Sequence, residues 1–169
     1  DNNLYVEDVA SGKITQLTHD GSETIVNGTF DWVYEEEFAC RDGSDVILIS
    51  EELVTLLQKI RDHFKRSMEI CSGYRTESYN QKVGGAAKSQ HMLGMAADIA
   101  IAGISPLEVA QYAEFLQPAS GGIGVYPTFT HVDVRAGRAR WDNRSGTPKP
   151  VEGWGGYAES SETEQAVEW

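Results

Sequence analysis

Two imidazoles and a carboxylate, His91, Asp98 and His131, sit in contexts that suit a metal ion. His91 lies in the polar, Gly-bounded stretch Ser89-Gln90-His91-Met92-Leu93-Gly94, and seven residues on Asp98 interrupts the apolar run Met95–Ile101. An unpaired buried carboxylate costs several kcal/mol or is neutralised, so Asp98 needs a cationic partner, and a metal supplies one. Two His and one carboxylate leave the fourth position of a tetrahedral zinc open to a water whose pKa falls towards neutrality. That is the chemistry of amide hydrolysis. His131, Asp133 and Arg135 alternate with Val132 and Val134, which predicts a strand carrying the three polar residues on one face. If His131 binds a metal, Asp133 points into the same cavity. Taken singly these signals are weak: His-x6-Asp recurs by chance, and His-x-Asp also fits a surface strand ion-paired to Arg135.

The setting strengthens them. Ser72-Gly73-Tyr74-Arg75-Thr76, the Ser89 to Asp98 stretch, Gly121-Gly122-Ile123-Gly124-Val125-Tyr126-Pro127, the His131 strand and Arg140-Trp141 together resemble the M15 family of zinc D-Ala-D-Ala peptidases, in its branch of small peptidoglycan peptidases with a His-x-Asp ending. The resemblance runs from about Phe38 to Trp141 and implies a Hedgehog/D-Ala-D-Ala peptidase-like fold. It implies Zn2+ held by His91, Asp98 and His131. It also implies that Arg75 faces the scissile carbonyl, where a fixed guanidinium stabilises the oxyanion, and that Ser89 contacts substrate. Several branches carry a general-base Glu three residues before the last His; here that position is Thr128, which cannot take a proton. The nearest carboxylate, Asp133, is therefore given the acid/base role, with orientation of His131 as its alternative.

These residues need a scaffold. Ser50 is expected to cap a helix to about Phe64, with Leu53, Leu56, Leu57, Ile60 and Phe64 on one face and Glu51 and Glu52 at its positive end. Ser105-Pro106-Leu107-Glu108 forms a capping box with Pro at the first helical position, opening a helix to about Leu116. Strands are expected at Met68–Cys71, Met95–Ile101, Ile123–Tyr126 and Thr130–Arg135. The resulting fold class is α+β: a small, mainly antiparallel sheet with helices on one face and the zinc cleft on the other.

Charge divides the 169-residue chain into three parts. Residues 1–38 hold nine acids and one Lys, 39–141 eleven acids and eleven bases, and 142–169 six acids and two bases, so the net −12 belongs to the flanks. A neutral centre without a basic stripe argues against nucleic acid as partner. No apolar run reaches the roughly 18 residues of a membrane span. A soluble chain is expected, with room for an export signal removed ahead of Asp1. Three segments follow: 1–37, a peptidase domain at 38–141, and an acidic Gly-, Pro-, Ser- and Glu-rich arm at 142–169, expected to be mobile, with docking of Trp154, Tyr157 or Trp169 on the domain as the alternative.

Residues 1–37, through Asp31-Trp32-Val33-Tyr34-Glu35-Glu36-Glu37, resemble a piece of the dipeptidyl peptidase IV β-propeller, in which Glu36 and Glu37 match the acids that hold a substrate amino terminus. That role does not transfer, since about one blade of strands makes no propeller and the Ser-nucleophile domain is missing. A hairpin of Leu4–Val6 against Lys13–Leu17 around Ser11-Gly12, or partial disorder, is expected. Cys40 and Cys71 are compatible with a disulfide without requiring one, and His19 and His63 read as structural.

The leading expectation is a metallopeptidase acting on peptidoglycan peptides, by D,D- or L,D-cleavage, as carboxypeptidase or endopeptidase. It would be monomeric and extracytoplasmic (periplasmic or secreted) or phage-associated. The alternative is an inactive zinc-containing binding module.

Overall fold

The structure, a computed structural model, describes residues 5–8, 13–16, 35–43 and 46–157, and the chain divides into two compact units at Tyr34/Glu35. In the first unit, β1 (Tyr5–Asp8) pairs antiparallel with β2 (Lys13–Gln16), Tyr5 opposite Gln16 and Asp8 opposite Lys13. The pairing therefore reaches two residues beyond Val6. Leu4, the Ser11-Gly12 turn, Leu17 and His19 lie outside the described residues.

The second unit opens with a 3-10 turn at Glu35–Phe38 and continues into α1 (Glu51–Phe64), whose first turn is closed by the Ser50 hydroxyl accepting from the Leu53 N–H. Leu53, Leu56, Leu57 and Ile60 are buried along one face. β3 (Met68–Ser72), the short α2 (Glu77–Lys82), a 3-10 turn at Gln90–Leu93 and β4 (Ala96–Ile101) follow. Then come α3 (Pro106–Leu116), β5 (Gly122–Val125), β6 (Thr130–Asp133), β7 (Ala139–Asp142) and β8 (Lys149–Pro150). Ser105 caps α3 by accepting from Glu108 N–H, as its capping-box sequence predicts.

The six strands of this unit run β3-β4-β6-β5-β7-β8. The sheet is mixed rather than wholly antiparallel, because β7 returns parallel to β5. Strand alternation separates its two faces. Ala97, Ile99, Ile123, Val125 and Val132 are fully buried at alternate positions, and α3 adds Val109, Ala110 and Ala113 to the core. Thr130, on the same side, donates to the Pro106 carbonyl at 2.7 Å. The other face carries Asp98, His131 and Asp133.

After Asp142 the chain packs against the domain as far as Tyr157. β8 pairs with β7, and Trp154 is buried with its indole N–H donating to the Ile123 carbonyl at 3.3 Å. One large aromatic ring anchors a segment whose composition alone reads as unfoldable. The Tyr157 hydroxyl hydrogen-bonds the His63 ring at 2.6 Å, and His63 stacks on Tyr112 with centroids 3.8 Å apart, so His63 is held by aromatic partners. Trp169 lies outside the described residues. Cys40 and Cys71 are both free thiols.

Arg140 joins sheet to helix. Its buried guanidinium pairs with Glu114 of α3 and donates to the carbonyls of Gly121 (2.5 Å), Gln117 (2.7 Å) and Ser120 (3.1 Å).

Candidate metal centre

The strand register assembles the site. Ser72 of β3 stands opposite Asp98 of β4, Asp98 opposite His131 of β6, His131 opposite Gly124 of β5, and Gly124 beside Trp141 of β7. One row across five strands thus carries two of the three candidate ligands, and residues directly opposite on neighbouring strands have Cβ atoms about 5 Å apart. The third, His91, comes from the Gln90–Leu93 3-10 turn. Its Nδ1–H donates to the Gly73 carbonyl at 2.7 Å, and its own carbonyl accepts from the Arg75 N–H at 3.1 Å. Gly94, in the left-handed region at φ 67°, ends that turn and lets the chain enter β4.

Three ligand atoms converge. His91 Nε2 lies 3.2 Å from His131 Nδ1 and 3.3 Å from Asp98 Oδ1, and His131 Nδ1 lies 2.9 Å from the same oxygen. Ligands roughly 2.0–2.1 Å from a tetrahedral zinc form a triangle with edges of about 3.3 Å, so this donor set fits such an ion. Among the described residues this is also the group of His, Cys, Asp and Glu side chains with metal-site spacing. All three residues are buried.

Electrostatics agree with that role. Burial lowers the His91 pKa, against the opposing pull of Asp98, and keeps the ring neutral as a ligand must be. Burial works to raise the Asp98 pKa, but the adjoining His131 and His91 rings outweigh it and hold the carboxylate ionised. For His131, burial lowers the pKa and is outweighed by the bonds to Asp133 and Asp98, so the ring's affinity for a proton is raised.

Arg75 sits beside the centre: its Nε donates to the Ser72 hydroxyl at 2.9 Å and its Nη2 to Asp98 Oδ2 at 2.6 Å. Ser72, the first member of the sheet row, therefore aims the guanidinium. Ser89 caps the His91 turn by position but makes no side-chain capping bond.

Asp133 lies against the His131 ring. Its side chain is 0% exposed and its Oδ2 accepts from His131 Nε2 at 3.1 Å, on the edge of the ring away from the other ligands. Its remaining acceptor capacity is taken by the Gly122 N–H (2.8 Å), the Arg135 N–H (3.1 Å) and Arg135 Nε and Nη2 (2.8 and 2.5 Å). Burial opposes ionisation, yet the bonds from His131 and Arg135 hold its pKa far below the ordinary carboxylate range. A carboxylate so placed suits the alternative role weighed for Asp133, fixing the His131 tautomer and ring plane with Nδ1 left to bind.

The centre opens into a cleft of about 690 Å³. Arg75, Lys88 and Ser89 line it together with Tyr126, Phe129 and Trp141. Trp141 lies 5.0 Å from the His131 ring, and its indole N–H donates to the Tyr126 hydroxyl at 3.3 Å. Sequence reasoning missed these aromatic residues as site components. Gly122-Ile123-Gly124 carried the signal, since glycines at alternating strand positions mark close approach on one face. A Cβ at Gly122 would overlap the Asp133 carboxylate, and one at Gly124 the Trp141 indole.

Fold and site together define an α+β domain with a His-Asp-His metal-binding arrangement at the floor of a cleft. The profile of the Peptidase M15 family matches residues 24–133, and the chain belongs to that family. Over 74 residues it is 42% identical to the "Probable peptidoglycan L,D-endopeptidase MepK" of Haemophilus influenzae, covering 40% of this chain and 39% of the relative. Residues 1–44 match the dipeptidyl peptidase IV N-terminal region. There the chain is 57% identical over 44 residues to the "Probable dipeptidyl-aminopeptidase B" of Talaromyces marneffei (26% of this chain, 5% of the relative). It is 54% identical over 37 residues to the protein of that name in Neurospora crassa (22% and 4%). The matches thus span about two fifths of the endopeptidase and about a twentieth of the aminopeptidases.

Proposed function

We propose that this chain is a zinc-dependent peptidase that hydrolyses peptide bonds in the stem peptides or cross-links of bacterial peptidoglycan. The observation that carries this reading is the triangle of His91 Nε2, Asp98 Oδ1 and His131 Nδ1, with edges of 2.9–3.3 Å and opening into the cleft. A zinc bound by these atoms supplies Lewis acidity and an acidified water for attack on an amide carbonyl.

The chain's own residues do the positioning. Gly73 and Asp133 fix the tautomers of His91 and His131 from outside the ligand triangle. Arg75, oriented by Ser72 and balanced by Asp98, presents a permanent positive charge where the carbonyl oxygen becomes anionic. Ser89 lines the approach to His91 and contacts the peptide. The MepK relative's name favours an L,D-endopeptidase over a D,D-carboxypeptidase. An extracytoplasmic setting follows from the substrate. Dipeptidase activity is not carried over, because the matched segment is about one blade of a propeller.

One observation favours the second reading, an inactive binding module: among the described residues lining the cleft, the carboxylate is that of Asp98, which serves as a ligand. Metal analysis combined with mass spectrometry of muropeptides from purified peptidoglycan separates the two. New fragments that appear with zinc-loaded protein and vanish after chelation support the peptidase; bound zinc with unchanged muropeptides supports the module.

A further inference from the structure

The cleft is cationic in a chain of net charge −12. Among the described residues lining it, Arg75, Lys88 and Arg135 stand with one carboxylate, that of Asp98, which is already paired with Arg75. Two of these cations have capacity to spare. Arg135 is locked in place by Asp133 through Nε and Nη2, which leaves Nη1 uncommitted on a side chain one-third exposed. Lys88 is exposed, on the segment leading to Ser89 and His91, and among the described residues it has no ion-pair partner. Charges of one sign gathered in a cleft focus the field there and select ligands of the opposite sign.

We propose that Lys88 and Arg135 form a carboxylate-recognition subsite, so that the cleft selects peptides carrying a free carboxylate close to the scissile bond. This rests on the peptidase reading and adds a specificity determinant to it. Lys88 supplies a mobile ammonium, whereas Arg135 supplies an N–H whose direction Asp133 fixes. The carboxylate comes either from the C-terminal residue or from a side branch, as on the γ-linked glutamyl and diaminopimelyl residues of a stem peptide. Both sources offer the same two oxygens to the same donors.

The test is calorimetric binding of the zinc-loaded full chain to the tetrapeptide L-Ala-γ-D-Glu-diaminopimelyl-D-Ala, with hydrolysis followed in parallel. The ligand forms are the free acid, the C-terminal amide, the side-branch amides and the fully amidated peptide. Full amidation is expected to weaken binding at least tenfold, with one of the two partial amidations accounting for most of that and so identifying the source. Lys88→Met should weaken binding of the acid about five- to tenfold and leave the fully amidated peptide unchanged, while Lys88→Arg should retain affinity. Equal binding of acid and fully amidated peptide overturns the subsite, as does a Lys88→Met effect of the same size on both. Hydrolysis without carboxylate discrimination would defeat this inference and leave the peptidase standing. Discrimination without hydrolysis would do the reverse.

Discussion

Replacing Asp133 by Asn separates positioning from proton transfer. The carboxylate accepts from Gly122, from the Arg135 backbone and guanidinium, and from His131 Nε2. Asn keeps one oxygen, which retains the Gly122 and Arg135 backbone N–H groups, and turns an NH2 towards His131 Nε2–H and the Arg135 guanidinium, donor against donor. The lost bonds are charge-assisted and worth roughly 1.5–3 kcal/mol each, but Arg135 is one-third exposed and recovers part of its share from water. A net loss of about 3 kcal/mol in stability follows, readable by denaturant titration. Without its acceptor, the His131 ring is no longer held in the tautomer that exposes Nδ1, so zinc affinity should fall by about 10- to 100-fold in a chelator competition. At saturating zinc, hydrolysis should then recover to within about tenfold of wild type. Unchanged zinc affinity combined with a turnover loss beyond 100-fold at saturating metal would refute this account and return Asp133 to the acid/base role.

Other perturbations reach the same framework. His131→Ala removes one of three candidate ligands, so the one zinc per chain expected of the parent should fall well below stoichiometry by elemental analysis after dialysis. Gly124→Ala forces the Trp141 indole off β5, which should cost about 1–3 kcal/mol in unfolding free energy and weaken peptide binding by altering the wall beside His131. Glu114→Gln strips Arg140 and Arg138 of their counter-charge and should destabilise the fold by about 2 kcal/mol at pH 7. Burial raises the Glu114 pKa, but Arg140 and Arg138 outweigh it and hold it below the usual 4.5. Its contribution is therefore complete above pH 4.5 and disappears as the pH falls through the folded value, so melting curves of parent and variant should converge in acid.

Two of the three candidate ligands stood out because they broke a local rule: Asp98 put a charge in an apolar strand, and His131, with Asp133, put polar groups at alternate positions of another. The two main helices were legible from capping, with Ser50 and Ser105 each accepting from the third residue beyond. What escaped was non-local or short. α2 spans only Glu77–Lys82, too few residues for an apolar period to emerge, and β7 shows its role only when it pairs in parallel with β5 on the side away from β6. The two roles weighed for Asp133 were not separable in the sequence because alternation gives the face of a strand but not the depth of a side chain beneath its neighbours. His131 lies between Asp133 and the other ligands, and only three dimensions reveal that order.

The cross-strand row also explains why the segment after Asp142 belongs to the domain. Trp141 reaches His131 only if β7 lies beside β5, and Gly124 leaves the gap in which the indole rests. Without further chain, β7 would be a bare edge next to the cleft, its strand register held by little beyond four residues. β8 covers that edge through Trp141 and Asp142, and Trp154 bonds back to Ile123 on β5. The polar composition of 142–157 is thus that of an edge cover whose apolar contribution is concentrated in one ring. Arg140 secures the strand from the opposite face, since its donors hold the end of α3 and the turn into β5 while Trp141, its neighbour in sequence, points into the cleft. Alternation along a single short strand therefore couples the stability of the helical layer to the shape of the wall beside the candidate metal centre.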